Sequence, residues 1–277
     1  MPLDQVDVDK IGAPEKEMSF LDHLEELRWH LVRSISAVVV FAIIVFASGS
    51  KFFEYVIFAP MKPEFPTYRL LCSISEFVCM QPPELELISV IFGGEFIVHL
   101  KVSLQVGLIM AFPYFFWEIW KFVKPALYEK EQKVTKGVVL VSSGLFLTGV
   151  LFGYYVIAPF AITFLGSYDV GATNSPSLTS YVSYLTMFTI PTGIVFQMPL
   201  VIFFLSKLGI VTPELLRTYR KHAFVLLLIL SAIITPPDAI TQLLICFPLY
   251  GLYEISIRVS ARVQKNQMKK ELQKVDA

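Results

Sequence analysis

The stretch MSFLDHLEELRWHLVRSISAVVVFAIIVFAS, Met18 to Ser48, passes without a break from a charged helical pattern into an uninterrupted apolar run. On an ideal helix of about 100° per residue, Phe20, Leu24, Leu27 and Leu31 gather on one side. Asp22, Glu26, His30 and Arg33 gather on the other. Ser19 is placed to cap this helix, with Asp22 three residues on completing a capping-box pattern. Helical register sets Glu26 at the centre of the polar face. Glu25 sits at its margin, beside Trp29 and within reach of Arg28. The amphipathic segment therefore presents Glu26 just outside a hydrocarbon layer, and Arg33 snorkels from the first turn of span 1, Leu31 to Ser48.

Hydrophobic residues make up 55% of the 277, charged residues 17%, and there are 24 phenylalanines. A water-soluble fold of this size could not hide so much apolar surface. The charges cluster between long apolar runs, which implies an all-α polytopic membrane protein. The net charge is zero, so no bulk field argues for a nucleic-acid partner. The first apolar run is longer than a signal-peptide core and reads as a permanent span.

In order, residues 1–17 read as a flexible tail and 18–257 as the membrane domain. Gly49 to about Phe96 is the largest extramembrane element, with Pro60, Pro63, Pro66, Pro82 and Pro83. Its pieces Phe52–Phe58 and Leu85–Phe92 read as short helices or as interfacial segments lying over the membrane surface. Span 2, about Phe96 to Trp120, should kink at Pro113. A basic hairpin, Lys121 to Lys136, follows, with a short helix beginning at Pro125. Span 3 covers about Val138 to Phe164. Its Gly149-xxx-Gly153 spacing, with Gly144 nearby, suggests close helix packing, although Gly is also simply common in membrane helices. Span 4, about Tyr181 to Leu208, carries Pro191, Gln197 and Pro199. Spans 5 and 6, about Ala223 to Thr235 and Ala239 to Ile257, are short, and span 5 must thin the bilayer or extend into its flanks. Residues 258–277 read as a polar tail.

Lysine and arginine are unevenly shared. The N-terminal segment, the 2–3 hairpin, the 4–5 link and the C-terminal tail hold nineteen, and the opposite side holds only Lys51, Lys62, Arg69 and Lys101. Under the positive-inside rule both termini are cytoplasmic, in agreement with six spans.

No phosphate-cradling glycine loop, HExxH motif or GxSxG elbow is present. The four histidines lack metal-ligand spacing, so no metal site and no cofactor is expected. Cys72 and Cys79 fall in the outer loop. An oxidising compartment would favour a disulfide between them, with two unpaired thiols as the alternative. Cys246 reads as core. Glu26 and Glu131 lie on the same, cytoplasmic side, each at a membrane edge. They are either solvated carboxylates paired with Arg33 or nearby lysines, or two acceptors for guanidinium groups in bidentate geometry. Asp238 either caps span 6 or has a function. The amide of Gln197 either bonds across helices or is used functionally.

His23-Leu24-Glu25-Glu26-Leu27-Arg28 resembles the HLxELR signature of the TatC family, receptor subunits of the twin-arginine protein translocase. Lys124-Pro125-Ala126-Leu127-Tyr128-Glu129-Lys130-Glu131 resembles its PALYxxE motif, and Thr235-Pro236-Pro237-Asp238 its TPPD element. The resemblance runs from residue 18 to about 257. It implies six helices forming a cup-like scaffold in the bacterial inner membrane, with TatA- and TatB-type single-span partners in an oligomeric assembly. It implies binding of twin-arginine signal peptides on folded cargo, driven by the proton-motive force and without covalent catalysis. Glu26 and Glu131 match the acids that contact the two arginines, and Phe122 matches a position on the same surface. Pro60 matches a sensitive proline of the first outer loop, and Asp238 the TPPD acid. Several relatives carry glutamate where Gln197 stands, so a mechanism needing a titrating group at that position is in doubt here. The rival reading, a small-solute secondary transporter, would call for internal repeats and a charged midplane site. Neither is apparent. Of the two adjacent acids, register and motif both select Glu26 over Glu25.

Overall fold

A computed structural model describes residues 20–123, 135–168, 171, 175–234 and 239–275. The described residues are helical, apart from loops and one isolated β-bridge. The amphipathic segment and the first apolar run form one helix, α1 (Phe20–Ala47). It ends where Gly49 takes a positive φ of 61°, a conformation glycine adopts without steric cost. A short turn, α2 (Ser50–Phe52), runs into a π-helical turn at Phe53–Ile57 and a 3₁₀ turn at Ala59–Met61. Helix α3 (Pro66–Ile74) follows, in a stretch the sequence reading left without an element.

In this outer segment one expectation is overturned and one open alternative is decided. Leu85–Phe92 is not a helix. Ile88 pairs in parallel with Ser177, its N–H donating to the Pro176 carbonyl while its own carbonyl accepts from the N–H of Leu178. That pairing, rather than a helical turn, satisfies the backbone groups of Ile88. Cys72 and Cys79 are joined in a disulfide.

Helix α4 (Gly94–Val123) runs antiparallel to α1. Phe46 stacks on His99 at 4.3 Å near one end of the pair, and His30 meets Glu118 near the other. The two helices pack closest at Gly107, where a Cβ would stand 2.7 Å from the Ala42 nitrogen. A larger residue would force them apart. The next span comprises α5 (Thr135–Phe152), a π turn at Gly153–Ile157, and α6 (Ala158–Gly166). It packs on α7 (Leu178–Val195) through glycines. A Cβ on Gly149 would stand 2.8 Å from the Gly193 Cα, and one on Gly153 would stand 2.9 Å from the Thr189 Cα and closer still to the Phe188 carbonyl oxygen. The Gly149-xxx-Gly153 spacing therefore marks a true helix contact, whereas Gly144 faces open space.

At Phe196 and Gln197 the helix breaks before Pro199, and α8 (Met198–Lys207) continues the span. After α9 (Pro213–Thr218) come α10 (Arg220–Ile234) and α11 (Ala239–Val275). Helix α11 runs well past Ile257, so the residues expected to form a tail instead extend the last helix. Five helices among the described residues are long and apolar enough to cross a membrane. At 15 residues α10 rises only about 22 Å, short of a bilayer core of about 30 Å.

Tyrosines fasten the outer segment to the bundle. Tyr181 donates to the Ile57 carbonyl at 2.7 Å and Tyr154 to that of Val56 at 2.5 Å. Between α4 and α7, Lys101 donates to Ser183 at 2.9 Å and Thr186 to Gln105 at 2.6 Å. Lys101, counted above with the outer side, is half-buried within α4.

Candidate functional site

The antiparallel α1–α4 pair brings the start of one helix beside the end of the other. His30, on the polar face of α1, turns towards α4 and is buried, whereas Arg33 on the same face is exposed. The reason is Glu118, a carboxylate on the inward face of α4 with only 1% of its side chain exposed. A buried carboxylate needs partners, and two are supplied. The Nδ1 of His30 lies 2.6 Å from Oε2 of Glu118, and the Nζ of Lys121 lies 3.0 Å from Oε1. Lys121 also sits 3.3 Å from the centroid of the Trp117 ring, a cation–π position that holds the ammonium in place.

With Glu118 ionised, the proton belongs on Nδ1 of the imidazole, and Nε2 points the other way. It faces Glu26, whose Oε1 is 3.9 Å distant. Glu26 keeps 37% of its side chain exposed, so the cluster ends in an open carboxylate. Phe122 closes one side, its ring meeting that of His30 at 6.4 Å and 63°. Glu25 is exposed, and Arg28 lies 5.7 Å from the Trp29 ring. The neighbour of Glu26 across the helix turn is thus His30.

Glu131, with the rest of the PALYxxE motif from Pro125 on, lies outside the described residues, as does Asp238. Two of the expected site residues, Glu26 and Phe122, come together, and His30, Glu118 and Lys121 join them. Glu118 was not singled out from the sequence, where Gln197 stood as the strong intramembrane polar candidate. The missed signal was a lone acid between Trp117 and Trp120 inside an apolar run.

Gln197 is used differently. Its Oε1 accepts from the Ser142 hydroxyl at 2.7 Å, and its Nε2 donates to the Ser142 carbonyl at 3.1 Å. This reciprocal pair ties the α7–α8 break to α5. Pro60 is buried in the 3₁₀ turn, and its carbonyl accepts from Tyr68 at 3.0 Å. Burial pushes the Tyr68 phenol above its ordinary pKa, keeping it a neutral donor. Among the described residues no group of three or more His, Cys, Asp or Glu is placed to hold a metal ion.

Residues 22–248 match the family model "Sec-independent protein translocase protein (TatC)". The chain is 36% identical over 262 residues to the TatC protein of Blattabacterium from Periplaneta americana, covering 91% of this chain and 98% of that one. It is 33% identical to TatCy of Bacillus subtilis, covering 91% and 92% respectively. A crystal structure of the twin arginine translocase receptor TatC superposes with a TM-score of 0.68 at 35% identity, covering 87% of this chain and 99% of that chain. A second crystal structure of that receptor, in DDM, gives 0.70 at 34% identity, with 86% and 99% covered. The chain belongs to the TatC family and is a multi-pass membrane subunit of the Tat protein translocase.

Proposed function

We propose that this subunit is the receptor for twin-arginine signal peptides on folded cargo, and that Glu26 and Glu131 read the two guanidinium groups from the cytoplasmic rim of the inner membrane. The observation that carries this reading is the open carboxylate of Glu26 at the end of the α1–α4 pair, where His30 has both Glu26 and Phe122 as neighbours. A carboxylate accepts two parallel N–H bonds from arginine, and lysine offers no such fork. The apolar part of the signal peptide then lies along the concave face of a six-span scaffold in which α10 crosses locally thinned bilayer. Both termini are cytoplasmic, by the distribution of lysine and arginine. TatA- and TatB-type single-span subunits assemble on this scaffold, and the proton-motive force drives transport. Pro60 and Asp238 support the scaffold or its partner contacts. Gln197 acts by hydrogen bonding, since an amide does not titrate.

The test is site-specific crosslinking from positions 26 and 131 to a twin-arginine signal peptide, with a twin-lysine peptide as control. Crosslinks from both positions to the twin-arginine peptide alone are expected. Equal crosslinking of both peptides, or of neither, would count against the reading.

A further inference from the structure

We propose that His30 supplies a second acceptor for the arginine that Glu26 binds, and that Glu118 is the positioning residue that makes it one. The proposal rests on the receptor reading above. Its basis is geometric. Glu118 is buried and takes the Nδ1 proton of His30 at 2.6 Å, which fixes the tautomer and aims the Nε2 lone pair away from α4. That lone pair stands 3.9 Å from Oε1 of Glu26, so two acceptors on adjacent turns of α1 face the same space. A guanidinium group, with N–H donors in a rigid fork, fits one donor to each. An ammonium is a point donor and gains little from the second acceptor.

The arrangement also has an off state. The charged or titratable groups that face His30 among the described residues are Glu26 on its own helix, with Glu118 and Lys121 on α4. Arg33, further along α1, is exposed. With His30 neutral, Lys121 balances Glu118, and among the described residues no cation is left to compensate Glu26. A second proton on His30 turns Nε2 from acceptor into donor. It then bonds Glu26 across the helix turn, cancels that charge and withdraws both acceptors at once. Acidification of the cytoplasmic side should therefore weaken arginine binding. Phe122, edge-on to the imidazole, restricts the ring from swinging out of this register.

The experiment measures the Kd of a fluorescent twin-arginine peptide for the full chain in nanodiscs, from mildly alkaline to mildly acidic buffer. The unaltered protein should bind roughly tenfold more weakly at the acidic end, and a flat profile would overturn the proposal. His30→Gln keeps an acceptor in place of Nε2 but cannot titrate. It should bind within about threefold of the unaltered protein at alkaline pH and lose the acid weakening. His30→Leu should bind roughly tenfold more weakly at every pH, and Glu118→Gln, which releases the tautomer, several-fold more weakly at alkaline pH. Retention of the acid weakening in His30→Gln overturns the proposal, and so does full affinity in His30→Leu. Should His30→Leu fail to fold, the His30→Gln profile still decides. Glu26→Ala separates the two claims. If it has no effect, the receptor reading fails. If it abolishes binding while both His30 variants behave like the unaltered protein, only the role of His30 fails.

Discussion

The His30–Glu118 pair and the Gln197–Ser142 pair each tie two long helices together through a polar side chain, yet they leave different things over. At Gln197 both ends of the amide are used, one by the hydroxyl and one by the backbone carbonyl of the same serine. Nothing in that pair is charged, and it is closed. At His30 the bond to Glu118 satisfies one ring nitrogen and directs the other outward to an exposed acid. The first arrangement is a fastening and the second is a fastening with a free end. Charge explains the contrast. A buried carboxylate draws in enough partners to be neutralised, and those partners then organise the groups around them. A neutral amide needs only to match its own donor and acceptor.

The comparison is broken most severely at the helix contact that carries the closed pair. Gly153→Ala would drive a Cβ into the Phe188 carbonyl and towards the Thr189 Cα, forcing α7 away from the π turn. A loss of about 3 kcal/mol is expected, read as a lowered Tm in detergent. Glu118→Ala attacks the open pair from within, stripping the buried Nδ1 donor of its acceptor and freeing Lys121. The expected cost is about 2 kcal/mol in the same assay, because His30 can stay neutral and soften the loss. Glu26→Ala acts at the free end instead. Twin-arginine peptide binding should weaken about tenfold, twin-lysine binding should be unmoved, and stability should stay within about 0.5 kcal/mol. A large fall in Tm for Glu26→Ala would make the free end structural and erase the distinction.

Much of this architecture was legible in the sequence because hydrocarbon tolerates few alternatives. The long apolar runs had to be helices, since only there are all backbone groups satisfied internally. Gly149 and Gly153 were visible as a candidate packing face, since small residues at that spacing let helices approach closely. The His30–Glu118 contact was not visible, because it depends on how α1 and α4 rotate about their axes, and the two residues are 88 positions apart. A helical wheel showed which residues of α1 share a face, but not whether that face meets water or a buried acid. The extended pairing of Ile88 with Ser177 was hidden likewise, since a short apolar run reads equally well as helix or strand. The extension of α11 to Val275 was missed because its polar residues looked like a tail, although lysine, glutamate, glutamine and leucine are all good helix formers.

The smallest expected effect is the one that tests whether the closed pair is closed. Ser142→Ala removes the hydroxyl that Gln197 Oε1 accepts from but leaves the Ser142 carbonyl to accept from Nε2. Half of the reciprocal contact survives, so the cost should be about 0.6 kcal/mol, the usual size for a side-chain hydrogen bond between membrane helices. Gln197→Leu loses both halves and should cost more. In a double-mutant cycle the serine substitution should then cost almost nothing in the Gln197→Leu background, because its hydroxyl has already lost its acceptor. Twin-arginine peptide binding should not change in any of the three variants. If Ser142→Ala instead weakened peptide binding, the two helix ties would be coupled, and Gln197 would belong to the recognition machinery rather than to the frame that holds it.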